Sequence, residues 1–273
     1  MNGPLSFLYN RAILQSELKF MVENKQTKKE KEPKESDFKL DAEEMAKAGV
    51  HFGHKTSNVH PKMQPYLFGS RSGVHIIDLD KTKYEFTKAL EFVGDLVAEA
   101  KVLLLVGSKV QTKDLTEKTA KECGLPYVSE RWLGGTFTNF SSIAKRIEYY
   151  KNLERQKKEG DWEKYTKKEK AKLEKNLERL KIKFEGIRNL NRLPDAVFVC
   201  DMKKDELAIK EAKDKRIKII AVADTNVNPG DADYPIPAND DAFSSLEYLL
   251  GKLKEVVLKN KPKEEKPKEE KNG

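Results

Sequence analysis

The sequence predicts an α/β fold: a three-layer sandwich with a mostly parallel central sheet, from which an antiparallel coiled-coil helical hairpin protrudes. Three observations predict it. Short apolar runs such as "KVLLLV", "PDAVFVCD" and "IKIIAVAD" read as strands buried on both faces, which is the pattern of a parallel sheet. Segments of helical period separate those runs, and strand–helix alternation places helices on both sides of one sheet. One stretch, residues 141–188, breaks the alternation: Leu173, Leu177, Leu180, Phe184 and Ile187 recur at 4-3-4-3 spacing, the seam of a coiled coil.

Taken in chain order, "KLDAEEMAKAG" predicts a first helix. Asp41 caps it, Glu44 completes a capping box, Leu40 and Met45 form the staple and Gly49 stops it. "PYLFGSRSGVHIID" predicts two short strands around a turn at 69–73. A helix capped by Asp80 runs to about Ala100, with Tyr84, Leu90, Val93, Leu96 and Val97 on its apolar side. The strand Val102–Val106, a Gly-Ser turn and a helix to Cys123 follow, then the strand "LPYVSE". In the interruption, Ile143, Ile147 and Tyr150 begin one arm helix, "KKEGDW" turns the chain and the heptad-spaced residues return it. Two more strands flank a helix near 205–215, Pro229-Gly230 and Asn239 make turns, and a last helix runs from Asp241, with Asp240 or Asp241 as its cap, to Leu258.

Charge is unevenly placed. Apolar residues make up 38% and charged residues 36% of 273, with a net charge of +8. Between Lys145 and Glu185 there are 15 basic and nine acidic residues, so most of the excess lies on the hairpin. An excess of this kind points to an anionic partner, nucleic acid first. Residues 1–37 form an extension whose first twenty residues are partly apolar; its segment 21–36 and the tail 259–273 are charged, low-complexity sequence, and both extensions are expected to be disordered. Met21 opens the first charged run and is a candidate start. No apolar run approaches the length of a membrane span, and no small-x-small cleavage site follows the first twenty residues, so no signal peptide is expected. Cys123 and Cys200, each in an apolar setting, read as buried thiols of a reducing, cytoplasmic compartment.

Three constellations carry possible chemistry. All four histidines (His51, His54, His60, His75) fall within 25 residues, and no acid occurs from Met45 to Ile77. With Lys55, Lys62 and Arg71 they read as a phosphate-contacting surface, braced by Phe52, Tyr66 and Phe68; no cysteine or clean H-x-x-x-H supports zinc. The turn "VGSKVQTKD" offers a helix N-terminus with Ser108, Lys109, Gln111 and Lys113 as an anion site, but without a dinucleotide or P-loop fingerprint. The carboxylates Asp224, Asp231, Asp233, Asp240 and Asp241 have the chemistry to hold Mg²⁺ or to act as acid and base, but their surroundings of Pro, Gly and Asn read as turns and a helix cap.

Read in order, "AGVHFGHKTSNVHPKMQPYLFGSRSGVHIIDLDKT", "RWLGGTFTNF", "LPDAVFVCD", "AIKEA" and "VADTNVNP…YPIPANDDA" make the chain resemble the bacterial-type ribosomal protein S2 family over roughly residues 38–258. The pattern departs from the family where a glycine pair is common before "LPDA"; Asn191 and Arg192 stand near there. The resemblance implies an α/β sandwich with a protruding helical hairpin and a non-catalytic, cofactor-free role. It further implies binding of small-subunit ribosomal RNA, support of subunit assembly and neighbouring small-subunit proteins, including the large protein S1.

The expected function is therefore a structural, RNA-binding part of the small ribosomal subunit, located on the cytoplasmic ribosome. Candidate RNA-contacting residues are His51, His54, Lys55, Lys62, Arg71, Lys109, Lys113, Arg131, Lys145 and Arg146. In "RWLGGTFTNF", Trp132 and Phe137 are expected to anchor the arm root, Gly134 and Gly135 to turn the chain, and Thr138 or Asn139 to cap the arm helix. Two alternatives stay open at this stage: an α/β enzyme holding a phosphorylated metabolite on the 107–113 turn, and a nucleic-acid binder without ribosomal preference.

Overall fold

A computed structural model describes residues 40–261, all within one compact unit, Phe38–Gly273. The extension 1–37, the alternative start at Met21 and the tail beyond Lys261 lie outside the described residues.

The frame is a five-stranded, all-parallel sheet. Its strands are β4 (Leu103–Val106), β5 (Tyr127–Val128), β6 (Ala196–Val199), β7 (Lys218–Ala223) and β8 (Tyr234–Pro237), in the spatial order β5-β4-β6-β7-β8. Residues of β4, β6 and β7 alternate between two apolar layers. Leu103, Leu105, Ala196, Phe198, Ile220 and Val222 face the layer of helices α2 (Leu79–Ala98), α3 (Val110–Cys123) and α7 (Phe243–Asn260). Leu104, Val106, Val197, Val199, Ile219 and Ala221 face the layer of helix α6 (Glu206–Asp214) and the arm root. Both faces are covered, which is why the strands are apolar at every position rather than at alternate ones.

Ahead of the sheet come the short helix α1 (Ala42–Lys47) and a small antiparallel sheet of β1 (Phe52–Lys55), β2 (Leu67–Arg71) and β3 (Val74–Ile77), in the order β1-β3-β2. Ser72 and Gly73, at φ 52° and 76°, make the β2–β3 turn, the two positive-φ positions that favour a right-twisted hairpin.

Several boundaries differ from the sequence expectation. Asp41 accepts from Glu43 N at 2.9 Å, so the cap uses the second helical N–H rather than that of Glu44. Helix α2 is capped by Asp78, which accepts from Asp80 N at 3.1 Å; of the two aspartates, the earlier one has the extended backbone a cap needs. Neither Asp240 nor Asp241 caps α7. The Asn239 amide oxygen takes Asp241 N at 2.8 Å and Ala242 N at 3.2 Å instead. That helix also continues through Asn260, into the expected charged tail. Two strands were not expected. β1 is short and bulged, and β8 carries Pro235 and Pro237, which are tolerated because β8 is an edge.

Helices α4 (Phe140–Lys158) and α5 (Lys167–Phe184) form the hairpin segment, joined by a 3₁₀ turn at Asp161–Lys164 that buries Trp162. Thr166 and Glu169 form a capping box at the start of α5. Leu173, Leu177 and Leu180 are half-buried, whereas Phe184 and Ile187 are buried where the returning chain reaches the sheet. Lys157–Glu174 at 3.3 Å and Asn176–Tyr149 at 3.4 Å cross between the helices, and the Tyr150 hydroxyl donates to Glu185.

Candidate nucleic-acid interface and the carboxylate cluster behind it

Two surfaces meet at the carboxyl ends of the parallel strands. The small sheet is fastened there by Thr225, which follows β7. Its hydroxyl accepts from His54 N at 2.9 Å and its carbonyl accepts from His60 N at 2.8 Å. A Cβ on Gly53 would stand 2.4 Å from Thr225 Cγ2, so glycine is what permits the close approach. The loop that leaves β5 and carries Arg131 also starts from that end of the sheet.

The histidines do not act together. His51 packs on Phe52, ring centroids 4.0 Å apart, and burial lowers its pKa. His60 caps the 3₁₀ turn at Pro61–Tyr66, its Nδ1 accepting from Lys62 N at 3.2 Å. His75 lies in β3. His54 alone turns into the sheet end. Its Nδ1 is 3.2 Å from Asp224 Oδ1 and its Nε2 is 3.4 Å from Asp241 Oδ2. The Asp224 carboxylate beside the ring, aided by Asp240 and Asp241 and opposed by partial burial, holds its pKa above the ordinary value.

The 107–113 turn does not present a vacant anion site. Asp205 occupies it from within, accepting from Ser108 N at 3.2 Å and from Ser108 Oγ at 2.6 Å. Lys109 Nζ lies 2.8 Å from Asp240 Oδ1, 2.8 Å from Asp241 Oδ1 and 2.9 Å from Asp201 Oδ2. Burial works to lower the Lys109 pKa, but those three carboxylates outweigh it and hold the ammonium firmly charged. Burial, then the Asp201 and Asp224 carboxylates, push Asp240 up to about 7, while Lys109 holds Asp241 down. Lys113 pairs with Glu130 at 2.5 Å. The five aspartates of the 224–241 loop divide: Asp231 and Asp233 pair with Lys213 and Lys218 elsewhere, and only Asp224, Asp240 and Asp241 converge on His54. Sequence spacing could not find this cluster, because His54 and Asp241 are brought together only by the docking of the small sheet.

Six candidate cations reach solvent: Lys55, Lys62, Arg71, Arg131, Lys145 and Arg146 are exposed, and among the described residues none is ion-paired. Phe68, on the same strand β2 as Arg71, stands 80% exposed. Of the other four candidates, Lys109 and His54 are directed at internal carboxylates, Lys113 is paired with Glu130 and His51 is half-buried against Phe52.

The arm root is built on a residue that sequence reasoning missed. Glu211 of α6 is buried beneath "RWLGGTFTNF". Its Oε1 accepts from Trp132 Nε1 at 3.2 Å and Gly135 N at 2.8 Å; its Oε2 accepts from Phe137 N at 2.9 Å and Thr138 N at 3.1 Å. Burial alone would raise its pKa, but these donors outweigh burial and lower it below the ordinary 4.5. Trp132 and Phe137 are 5% and 1% exposed and meet edge-to-face, ring centroids 4.8 Å apart. Gly135 has φ +90°, whereas a Cβ on Gly134 would meet only Leu207 Cδ2 at an ordinary 3.7 Å. Asn139 stands at the N-cap but takes no helix N–H with its side chain, which instead accepts from Ser141 Oγ at 3.4 Å.

Comparison with known proteins agrees with this architecture. The family model for ribosomal protein S2 matches residues 45–260. The "Small ribosomal subunit protein uS2" of Koribacter versatilis is 44% identical over 214 residues, covering 78% of this chain and 71% of that protein. The protein of the same name from Dictyoglomus thermophilum is 44% identical over 223 residues, 82% of this chain and 91% of its own. That from Dehalococcoides mccartyi is 42% identical over 215 residues, 79% and 88% respectively. With the family model spanning nearly the whole described fold, and relatives this similar, the chain belongs to the ribosomal protein S2 family and is a structural protein rather than an enzyme.

Proposed function

We propose that the chain binds small-subunit ribosomal RNA with the exposed cations at the carboxyl end of its sheet and helps complete the small subunit. The observation that carries this reading is the set Lys55, Lys62, Arg71, Arg131, Lys145 and Arg146, exposed and free of ion pairs among the described residues, together with an exposed Phe68 on the strand of Arg71. Lysine and arginine neutralise phosphates, and an exposed aromatic ring stacks on an unpaired base. The relatives are small ribosomal subunit proteins, which supports the ribosome as the place of action; on this reading neighbouring subunit proteins, S1 among them, are its protein partners. The arm, carrying most of the net charge, extends the footprint along RNA.

Sedimentation of the tagged protein from lysate tests this. It should travel with small subunits in low salt and leave them as salt rises, because phosphate contacts release counterions. A protein that stays at the top of the gradient in low salt sinks the proposal.

A further inference from the structure

Given the RNA-binding function proposed for the chain, on which this rests, we infer that a groove on the hairpin arm holds an unpaired stretch of RNA. Its bases stack on Tyr149 and Tyr165, and its phosphates meet Lys172, Lys175 and Arg179. Residues of α4, of the tip turn's end and of α5 together line an open cavity of about 580 Å³. Ligand cavities run from roughly 300 to 1,000 Å³, so a base with its sugar and phosphate has room.

The aromatic rings are the first support. Tyr149 and Tyr165 both line the cavity and are 49% and 42% exposed. The hairpin does not need them for its own packing. Helix α4 buries Ile143, Ile147, Tyr150 and Leu153, and the tip turn buries Trp162. Tyr149 precedes the buried Tyr150 and is therefore turned roughly 100° away from it around the helix. Tyr165 stands in extended backbone just ahead of the cap Thr166. Rings held at the mouth of a groove are the platform on which unpaired bases stack.

Charge is the second support. Lys172, Lys175 and Arg179 are spaced so as to share one face of α5. All three are exposed, line the cavity and, among the described residues, are not ion-paired. Elsewhere on the arm the cations are answered: Lys157 by Glu174, Lys158 by Glu154 and Arg188 by Glu154. The acid in the lining, Glu169, is committed to the start of α5, its Oε2 accepting from Thr166 N and Oγ1, both at 2.9 Å. The positive charge of the groove is thus left for an anionic chain. Amides stand where base edges would come. Asn176 Nδ2 donates to the Tyr149 hydroxyl at 3.4 Å and keeps its oxygen free, and the exposed Gln156 makes no hydrogen bond among the described residues. A duplex keeps its base faces inside the stack, so only unpaired nucleotides can use the rings. A helix of a neighbouring protein would need several apolar anchors, whereas Leu173 is the one aliphatic side chain among the described residues of the lining.

The full chain is to be titrated, by fluorescence anisotropy, with an end-labelled single-stranded uridine octamer and with an RNA duplex of the same length. Tyr149→Ala and Tyr165→Ala should each weaken single-strand binding by roughly 5- to 150-fold, the usual effect of losing one stacked base, and leave duplex binding unchanged. Tyr149→Phe and Tyr165→Phe keep the ring and should retain wild-type binding. Lys175→Ala and Arg179→Ala should each lower the slope of log affinity against log salt by about 0.7. A thiouridine-substituted octamer should photocrosslink to Tyr149 or Tyr165, as read by mass spectrometry. Circular dichroism checks the fold of each variant, and the phenylalanine variants keep the test open should an alanine variant unfold. Single-strand binding that is unchanged in the folded alanine variants overturns this inference alone. Failure of the unaltered chain to bind any RNA overturns the RNA-binding function with it. Alanine variants that bind RNA normally but bring down fewer subunit proteins from lysate would give the groove to a protein, and so overturn it too.

Discussion

Glu211 shows what a single buried carboxylate can organise. Four N–H donors from the loop 132–138 converge on it, so it takes the part that a helix cap or a bound anion plays elsewhere. Glu211→Gln keeps the shape but sets an amide N–H₂ against donors. Hydrogen bonds to a charged group are worth roughly 1.5–3 kcal/mol, so a loss of about 3 kcal/mol is expected, read by chemical denaturation. Trp132→Ala removes the ring over this carboxylate and should cost about 3–5 kcal/mol; an arm root as protease-resistant as before would refute its anchoring role. Because the folded pKa of Glu211 lies below its ordinary 4.5, its contribution is complete above about pH 4.5 and is lost as pH falls through the folded value. Trp132 fluorescence in a Trp162→Phe background should therefore report loosening of the root only on the acid side of that point; a change between pH 6 and 8 would contradict it. At this scale the sequence was half legible. Trp132 and Phe137 stood out because aromatics beside Gly-Gly do not suit a solvated loop. Glu211 did not, because its bonds span 73 to 79 residues and a glutamate in a charged helix looks like any solvated one.

Among the elements, those with a long period or a clear cap or turn were readable, and two short strands were not. The arm helices and the runs of β4, β6 and β7 announce themselves by spacing and by unbroken apolar content. β1 and β8 span four residues each, and β8 holds two prolines that argue against a strand unless its edge position is known. The position of the arm depends on a contact equally invisible in sequence. At its foot, a Cβ on Gly186 would lie 2.2 Å from the Tyr127 carbonyl and 2.8 Å from the Tyr127 ring. The 3₁₀ turn after α5 thus presses directly on β5, and the obstacle is backbone, which cannot step aside. Gly186→Ala should cost about 1–3 kcal/mol, the usual penalty of overpacking, and open the arm foot to proteolysis near 185–190. The same substitution at Gly134, where a Cβ would make only ordinary contact with Leu207, should leave both readouts near wild type. Equal effects at the two glycines would show that the contact at Tyr127 does not hold the arm.

Over the whole molecule, the distribution of charge matters more than its sum. The net +8 was legible at once, but sequence alone could not separate cations that serve the fold from those left for a partner. Lys109, Lys113, Lys213, Lys218 and Lys254 are held by carboxylates, whereas Lys55, Arg71, Lys145 and Arg146 are not, among the described residues. Replacing those last four with alanine removes exposed side chains that touch no core, so each should change stability by no more than about 0.5 kcal/mol. The effect should fall on RNA binding instead. Each lost phosphate contact should lower the slope of log affinity against log salt by about 1, so the fourfold variant should bind small-subunit ribosomal RNA more weakly and with a shallower salt dependence. A parallel variant, Lys213→Ala with Lys218→Ala, removes two charges that are already neutralised by Asp231 and Asp233, and should leave the slope unchanged. If both variants flatten the slope in proportion to the charge removed, the protein binds by its overall field and the exposed cations at the sheet end have no special part. A change confined to the first variant would locate the interface where the structure leaves its positive charge uncompensated.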